Sequence, residues 1–458
     1  MSALEVDVVV IGLGPGGEHV ATELAGAGLR VLGVERRLVG GECPYYGCIP
    51  TKMMVRAAEV VAEARRVPEL AGSATVLPDW SAVAERIRRE ATDNWDDAVA
   101  VRRLTDAGAT FLRGTARITA PGQVEVLDHD NQPHTITATK AIVLNPGTEP
   151  LIPPIPGLAG TPFWTNREAV RTEYVPDTLV VLGGGAIGLE FAQLFARFGA
   201  EVHIIEPQDH LAALEEPEAA ALLAEIFADE GITVHTGAGA KSVSHQTNEF
   251  TLTLTNGTPV TGTHLLVATG RKTDFEALGI GNLGLDPTTR TLPTDDRLKV
   301  AEGVWAVGDI VGHGAFTHMS MYQADIVIRE ILGRPGPAAQ YHAIPRVTFT
   351  NPELGSVGLT EKQARAQGHN IRTGLTRLEH SSRGFVHKVG NRGLIKLILD
   401  TDHNTLLGAT AMGPAGGEIL GALAMAVHAK IPLETLQQFI GAYPTFHRAL
   451  SEAVKALA

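Results

Sequence analysis

The sequence predicts an α/β protein built on two copies of one βαβ unit, followed by a C-terminal α+β segment. Three observations carry this. A β-branched run near the N-terminus meets a glycine-rich turn, a helix and a strand ending on an acid. The same order returns from Leu179. The third piece, from Tyr341 to Ala458, alternates strands and helices but has no such turn.

Val6–Ile11 is a short β-branched run, as expected of a parallel strand buried on both faces. Gly12-Leu13-Gly14-Pro15-Gly16-Gly17 follows, then a helix to Ala27 and a second strand, Leu29–Glu35. This is the Rossmann-like dinucleotide-binding pattern. Gly12 permits the tight turn, Gly14 lets the backbone approach a pyrophosphate, and Gly17 packs helix on strand. The helix N-terminus offers unpaired N–H groups and a favourable dipole to the anion, and Glu35 is placed for ribose hydroxyls. In the second copy the strand Leu179–Leu182 leads into Gly183-Gly184-Gly185-Ala186-Ile187-Gly188. A helix through about Phe198 and a strand, Val202–Glu206, complete it. Gly183, Gly185 and Gly188 repeat the glycine roles, and the first glycine stands 23 positions before the acid in both copies. One such turn is a weak signal. Two, each in strand–helix–strand context with the same spacing, are a strong one and imply two nucleotide cofactors. A carboxylate at Glu206 accepts hydrogen bonds from a 2′-hydroxyl and repels a 2′-phosphate, which favours NADH over NADPH.

In the third segment, strands are expected at Arg346–Phe349, Leu394–Leu399 and Leu406–Met412, and helices at Glu361–Gln367, Glu418–Ala429 and Pro432–Ile440.

The 458 residues suit two to four domains. With 38 basic and 51 acidic residues the net charge is −13, against a nucleic-acid footprint. No apolar run is long enough for a membrane span. The N-terminal apolar stretch has no basic region before it and runs straight into a glycine turn, so a folded strand is expected there, not a signal peptide, and the cytoplasm is the expected compartment.

The chain has two cysteines, Cys43 and Cys48. Two cannot complete a structural zinc site, and a cytosolic chain of this size needs no structural disulfide, so a redox pair is the leading reading and no metal ligand is assigned. The spacing puts both sulfurs near a helix start, where the dipole favours the thiolate.

The segment Gly40-Gly41-Glu42-Cys43-Pro44-Tyr45-Tyr46-Gly47-Cys48-Ile49-Pro50-Thr51-Lys52 resembles the hallmark of the flavoprotein disulfide reductases, which include dihydrolipoamide dehydrogenase, glutathione reductase, mycothione reductase and mercuric reductase; Thr51 stands where serine is usual. Leu266–Arg271 resembles the family's crossover through Gly270, Val304–Asp309 its second FAD signature, and Phe349–Glu353 with Gly408–Glu418 its dimerisation domain. The resemblance implies an FAD domain over 1–150 and 271–335, an NAD(P) domain over 151–270 and a dimerisation domain over 341–458. It implies a homodimeric FAD enzyme acting on a small disulfide, dithiol or other electron acceptor, without nucleic acid or membrane. Cys43 would be the outer interchange thiol and Cys48 the thiol beside the flavin. Lys52 and Glu190 would be the ion pair near flavin and nicotinamide, Asp309 the ribityl-binding acid, and Thr317 and Ala116 backbone contacts to FAD.

One departure matters for chemistry. Family members that work on dithiols end in HxHPTxxE, the histidine acting as base and the glutamate orienting it. Here Tyr443 stands at the histidine and Arg448 at the glutamate. A phenol is a hydrogen-bond donor at neutral pH, not a ready base. His447 and Glu452, with the same spacing, are the candidates for a displaced dyad, and the alternative is a helix-surface histidine. Mercuric reductase also has tyrosine there, but its further C-terminal cysteine pair is missing from this chain. Smaller departures are Tyr45-Tyr46 between the cysteines and Asn145-Pro146-Gly147 in place of Ala-Thr-Gly. A disulfide or dithiol oxidoreductase is the first reading, an NADH:acceptor reductase for quinones, dyes or metal ions the second, and a protein that keeps the fold without turnover the third.

Overall fold

A computed structural model describes residues 3–457. The chain divides into two units. The first gathers Met1–Pro50, Arg86–Leu151 and Arg271–Tyr341, and the second Thr51–Glu85, Ile152–Gly270 and His342–Ala458.

In the first unit the apolar run forms the strand Ala3–Ile11, flanked by Val31–Glu35 on one side and Pro133–Leu144 on the other, all parallel. Val8 pairs with Val31, and Ile11 with both Val34 and Leu144, so the strand ends are level where the glycine turn begins. Val8, Val9 and Val10 are fully buried, as a strand covered on both faces requires. Val304–Ala306 extends the sheet in parallel beyond Pro133–Leu144, while Thr110–Ala120 and Gln123–Asp128 close a meander on the other side. The helix Pro15–Gly26 starts with proline in its first turn, where the missing N–H costs nothing, and packs against the helix Thr317–Ile331.

The second unit repeats the pattern in a four-stranded parallel sheet ordered His264–Val267, Thr178–Leu182, Glu201–Glu206, Thr233–Thr236. The helix Ala186–Arg197 follows its glycine turn. A second, antiparallel sheet of five strands runs in the order Pro345–Thr348, Glu353–Gly358, Thr405–Gly413, Leu394–Asp400, Ile371–Arg377. Within this unit Lys396, from the middle of that sheet, is 3% exposed and held by Glu216, Glu218 and Glu361 at 2.7–2.9 Å.

Several elements differ from expectation. The strand read from Leu29 begins at Val31, and the helix read as Pro432–Ile440 is only Leu433–Gln437. Glu353–Gly358 and Ile371–Arg377 are strands the sequence reading did not include. Both carry glycine inside, which weakens a strand signal, and tertiary pairing with the neighbouring strands overrides it, on an inner ladder for Glu353–Gly358 and at the sheet edge for Ile371–Arg377. Phe446–Lys455 is an amphipathic helix capped by the Thr445 side chain.

Candidate functional site

In the first unit, geometry converges on the glycine turn. Gly12 has φ of 89°, and a side chain there would strike the carbonyl of Asn145. A Cβ at Gly14 would meet only the Asn145 side-chain oxygen, at 3.4 Å. Gly17 is pressed on the Gly12 carbonyl. Glu35 is fixed by two backbone donors, Leu13 N at 2.9 Å and Arg37 N at 2.8 Å. Asp309, half-buried, accepts from Thr148 Oγ at 2.6 Å, and Arg271 donates to that hydroxyl at 2.7 Å and to the Thr148 carbonyl at 2.6 Å. These residues fit a flavin dinucleotide: an open helix N-terminus for phosphates, an oriented acid at a strand end and a second held acid. Ala116 is buried in the ladder opposite Val126.

Asn145 is the residue whose role was not read from sequence. It is 5% exposed, its side-chain oxygen accepts from Gly17 N at 2.7 Å, and its amide donates to the Val307 carbonyl at 3.0 Å and toward Ser320 Oγ at 3.4 Å. The helix cap, Gly14, has no side chain to satisfy its own turn; Asn145 does so from the loop just past the strand Pro133–Leu144. In the second unit the matching position is Ala268, whose carbonyl a Gly183 side chain would strike in the same way. The signal was therefore present as the departure at Asn145-Pro146-Gly147.

The cysteines follow directly. Cys43 lies in the short helix Glu42–Tyr45 and is half-buried, while Cys48 is exposed and opens the helix Cys48–Leu70. The expected single helix start is thus two successive ones, split at Tyr46-Gly47. Cys48 Sγ lies 3.4 Å from Thr317 Oγ, at the start of its own helix. Glu42, beside Cys43, pairs with Arg271 at 3.6 Å. A thiolate at Cys48 would face the positive end of a helix.

In the second unit, Gly183 has φ of 109°, Gly188 is pressed on the Gly183 carbonyl, and a Cβ at Gly185 would meet open space. Glu206, 8% exposed, accepts from Gly184 N at 2.7 Å and Gln208 N at 2.8 Å. The two acids are therefore held alike, each by the residue after the first glycine and by the residue two places after itself. These residues fit a pyridine nucleotide. Gly270, with φ of 122°, is exposed at this unit's boundary.

Lys52 belongs to the same unit, and its ammonium is 2.8 Å from the buried Glu190 carboxylate. The other Glu190 oxygen accepts from Phe349 N at 2.9 Å, and the Phe349 ring lies 4.8 Å from Lys52 Nζ. Phe349 was another partner that sequence did not reveal.

Within one chain the C-terminal candidates do not form a constellation. Tyr443 is 73% exposed. Glu452 pairs with Lys455 at 3.0 Å, and five residues along an α-helix place His447 and Glu452 about 140° apart around the axis. The structure does not bring that pair together as a dyad. Among the described residues no group of three or more His, Cys, Asp or Glu side chains is arranged to hold a metal ion, and no helix is long and apolar enough to cross a membrane.

Comparison with known proteins agrees with this layout. Residues 6–324 match the family described as pyridine nucleotide-disulphide oxidoreductase, and residues 344–454 its dimerisation domain. A mercuric reductase of Streptomyces lividans is 32% identical, covering 98% of this chain and 95% of its own. A dihydrolipoyl dehydrogenase of Thermus scotoductus is also 32% identical, covering 98% and 97%. Among solved structures, the Cu(II) complex of the HOCl-induced flavoprotein disulfide reductase RclA from Escherichia coli superposes with a TM-score of 0.88, at 28% identity and full coverage of both chains.

Proposed function

The chain belongs to the FAD-dependent pyridine nucleotide-disulphide oxidoreductases, and from that premise we propose that it carries electrons from NADH, by way of Cys43 and Cys48, to a small disulfide. The observation that carries the reading is the placing of both cysteines at successive helix starts, with Cys48 Sγ 3.4 Å from Thr317 Oγ, in the same unit as the first glycine turn. The chemistry FAD supplies when bound is a two-electron relay between nicotinamide and disulfide. Gly12, Gly14, Gly17, Glu35 and Asp309 would hold it, and Gly183, Gly185, Gly188 and Glu206 would hold NADH. Lys52, fixed by Glu190, supplies a positioned cation.

Reduction of the Cys43–Cys48 bond takes two electrons and two protons and leaves two thiols. The Cys43 thiolate attacks one sulfur of the substrate and expels the other half as a thiol. Cys48 then displaces the second half, also as a thiol, and restores the Cys43–Cys48 bond. The sum is NADH, one proton and one disulfide converted to NAD⁺ and two thiols. The dimerisation domain supports a homodimer, and by the family resemblance the C-terminal segment of one subunit would serve the redox centre of the other.

One observation favours the second reading, an NADH:acceptor reductase. Tyr443 occupies the place of the family's base, and the mercuric reductase among the relatives points to metal ions as acceptors. A positioned base is worth about 10²–10⁴-fold in such exchange. Steady-state rates with lipoamide, disulfides, quinones, Hg(II) and Cu(II) separate the readings. Disulfide turnover lost in both Cys43→Ser and Cys48→Ser supports the first. Turnover confined to quinones and indifferent to both substitutions would replace it with the second.

A further inference from the structure

The helical stretch Ile87–Ala91 ends at buried Thr92, and the chain then reverses hand. Asp93, Asn94 and Trp95 have φ of 46°, 57° and 58°, the longest run of left-handed non-glycine residues among those described. An L-residue there crowds its Cβ against the next carbonyl. Asn and Asp tolerate this singly, whereas a bulky indole does so only under constraint. Such a turn persists where surrounding contacts over-determine it.

They hold the redox loop. Trp95 Nε1 donates to the Tyr45 carbonyl at 3.2 Å, and Tyr45 lies between Cys43 and Cys48. Two residues beyond Trp95, the buried Asp97 carboxylate accepts from Val39 N at 2.6 Å and pairs with Arg113 at 2.7 Å. Residues 95–97 therefore grip the chain at Val39, before Gly40-Gly41, and again at Tyr45, inside the cysteine loop. All these residues belong to one unit. Gly40 and Gly41, with φ of 104° and 70°, are the freest backbone of the motif, and the two grips bracket them.

We propose that Trp95 is a positioning residue for the redox couple, and that the left-handed turn serves to deliver its indole N–H to the Tyr45 carbonyl. The proposal rests on the redox reading of Cys43 and Cys48. Pinning the carbonyl between the two cysteines narrows the conformations open to the dithiol, so closing the disulfide costs less chain entropy. The grip therefore favours the disulfide over the dithiol.

The test is the thiol–disulfide midpoint of the holoenzyme. Wild type and Trp95→Phe are equilibrated in dithiothreitol buffers of stepped ratio and acid-quenched, and alkylated Cys43 and Cys48 are counted by mass spectrometry. Trp95→Phe keeps an aromatic ring and removes the donor. The expected result is an equilibrium shifted about tenfold toward the dithiol, a midpoint 29.6 mV less negative for a two-electron couple. Asn94→Gly relieves the turn without touching the indole. It is expected to raise the melting temperature and leave the midpoint at the wild-type value. If Trp95→Phe yields no holoenzyme, benzothienylalanine at position 95 keeps the indole shape without its N–H and should give the same shift. A wild-type midpoint in a donor-less variant overturns the proposal, as does an equal shift in Asn94→Gly. Cysteines alkylated in every buffer in the wild type would overturn the redox reading itself, an outcome distinct from a disulfide with an unmoved midpoint.

Discussion

Replacing Glu206 by Gln tests the coenzyme reading at one atom pair. The wild-type carboxylate is 8% exposed and oriented by Gly184 N and Gln208 N at 2.7 and 2.8 Å. No Lys or Arg lies between residues 206 and 218 to offset it. Arg271, the first basic residue after that unit, is engaged with Thr148 in the other unit. At an effective dielectric of about 20, a unit negative charge about 4 Å from the carboxylate is repelled by about 4 kcal/mol. That corresponds to roughly a thousandfold in affinity, and partial hydration of a 2′-phosphate reduces it to about a hundredfold. The expected wild-type preference for NADH is therefore about a hundredfold or more in the second-order rate of anaerobic reduction, read by stopped flow at 450 nm. Glu206→Gln removes the charge, and its amide NH₂ must face one of the two backbone donors. NADH binding should weaken while the NADH-to-NADPH ratio falls at least about tenfold. A wild-type preference for NADPH, or a ratio unchanged by the substitution, would refute the reasoning.

Three further outcomes follow from the geometry. Asn145→Ala leaves the Gly17 N–H unpaired, at a cost of about 1–3 kcal/mol; faster FAD loss on dilution and a lower melting temperature are expected, and unchanged FAD retention would contradict the role given to Asn145. For Lys396, burial alone would lower the ammonium pKa, but hydrogen bonds to Glu216, Glu218 and Glu361 outweigh it and raise the value. Lys396→Met leaves the Glu216 and Glu218 carboxylates without their cation, while Glu361 keeps Arg365 at 2.9 Å, and should cost about 3–5 kcal/mol in urea unfolding. Burial holds the His264 imidazole below its usual range. The unfolded chain then binds more protons from that lowered value up to about 6.5, so stability is full above this window and falls as pH drops through it. His264→Gln should show a smaller loss of urea midpoint between pH 7.5 and 5.5 than the wild type.

What the sequence made legible was local. The βαβ units could be read because strand, glycine turn, helix and acid lie within one short stretch, and the spacing of Gly12 to Glu35 repeats from Gly183 to Glu206. The cysteine motif is likewise contiguous, and the family resemblance supplied the partner for Lys52, which the structure places 2.8 Å from Glu190. Long-range partners escaped. Asn145 meets Gly17 across 128 positions, and Trp95 meets Tyr45 across 50. No periodicity encodes such contacts, since they depend on which strand ends come level. The Ile371–Arg377 strand escaped because an internal glycine hides a pairing that only its neighbour Leu394–Asp400 reveals. At the C-terminus spacing left two readings open: His447 and Glu452 have the family's separation, and here it falls along a regular helix that places them about 140° apart.

Anaerobic titration of the holoenzyme with NADH, with Cys43 and Cys48 counted by alkylation at each step, tests the electron route most directly. The route from NADH to the cysteine pair requires that the first equivalent per subunit expose both thiols, and that Cys48→Ser abolish this gain. A first equivalent that exposes no thiol at either cysteine would contradict it.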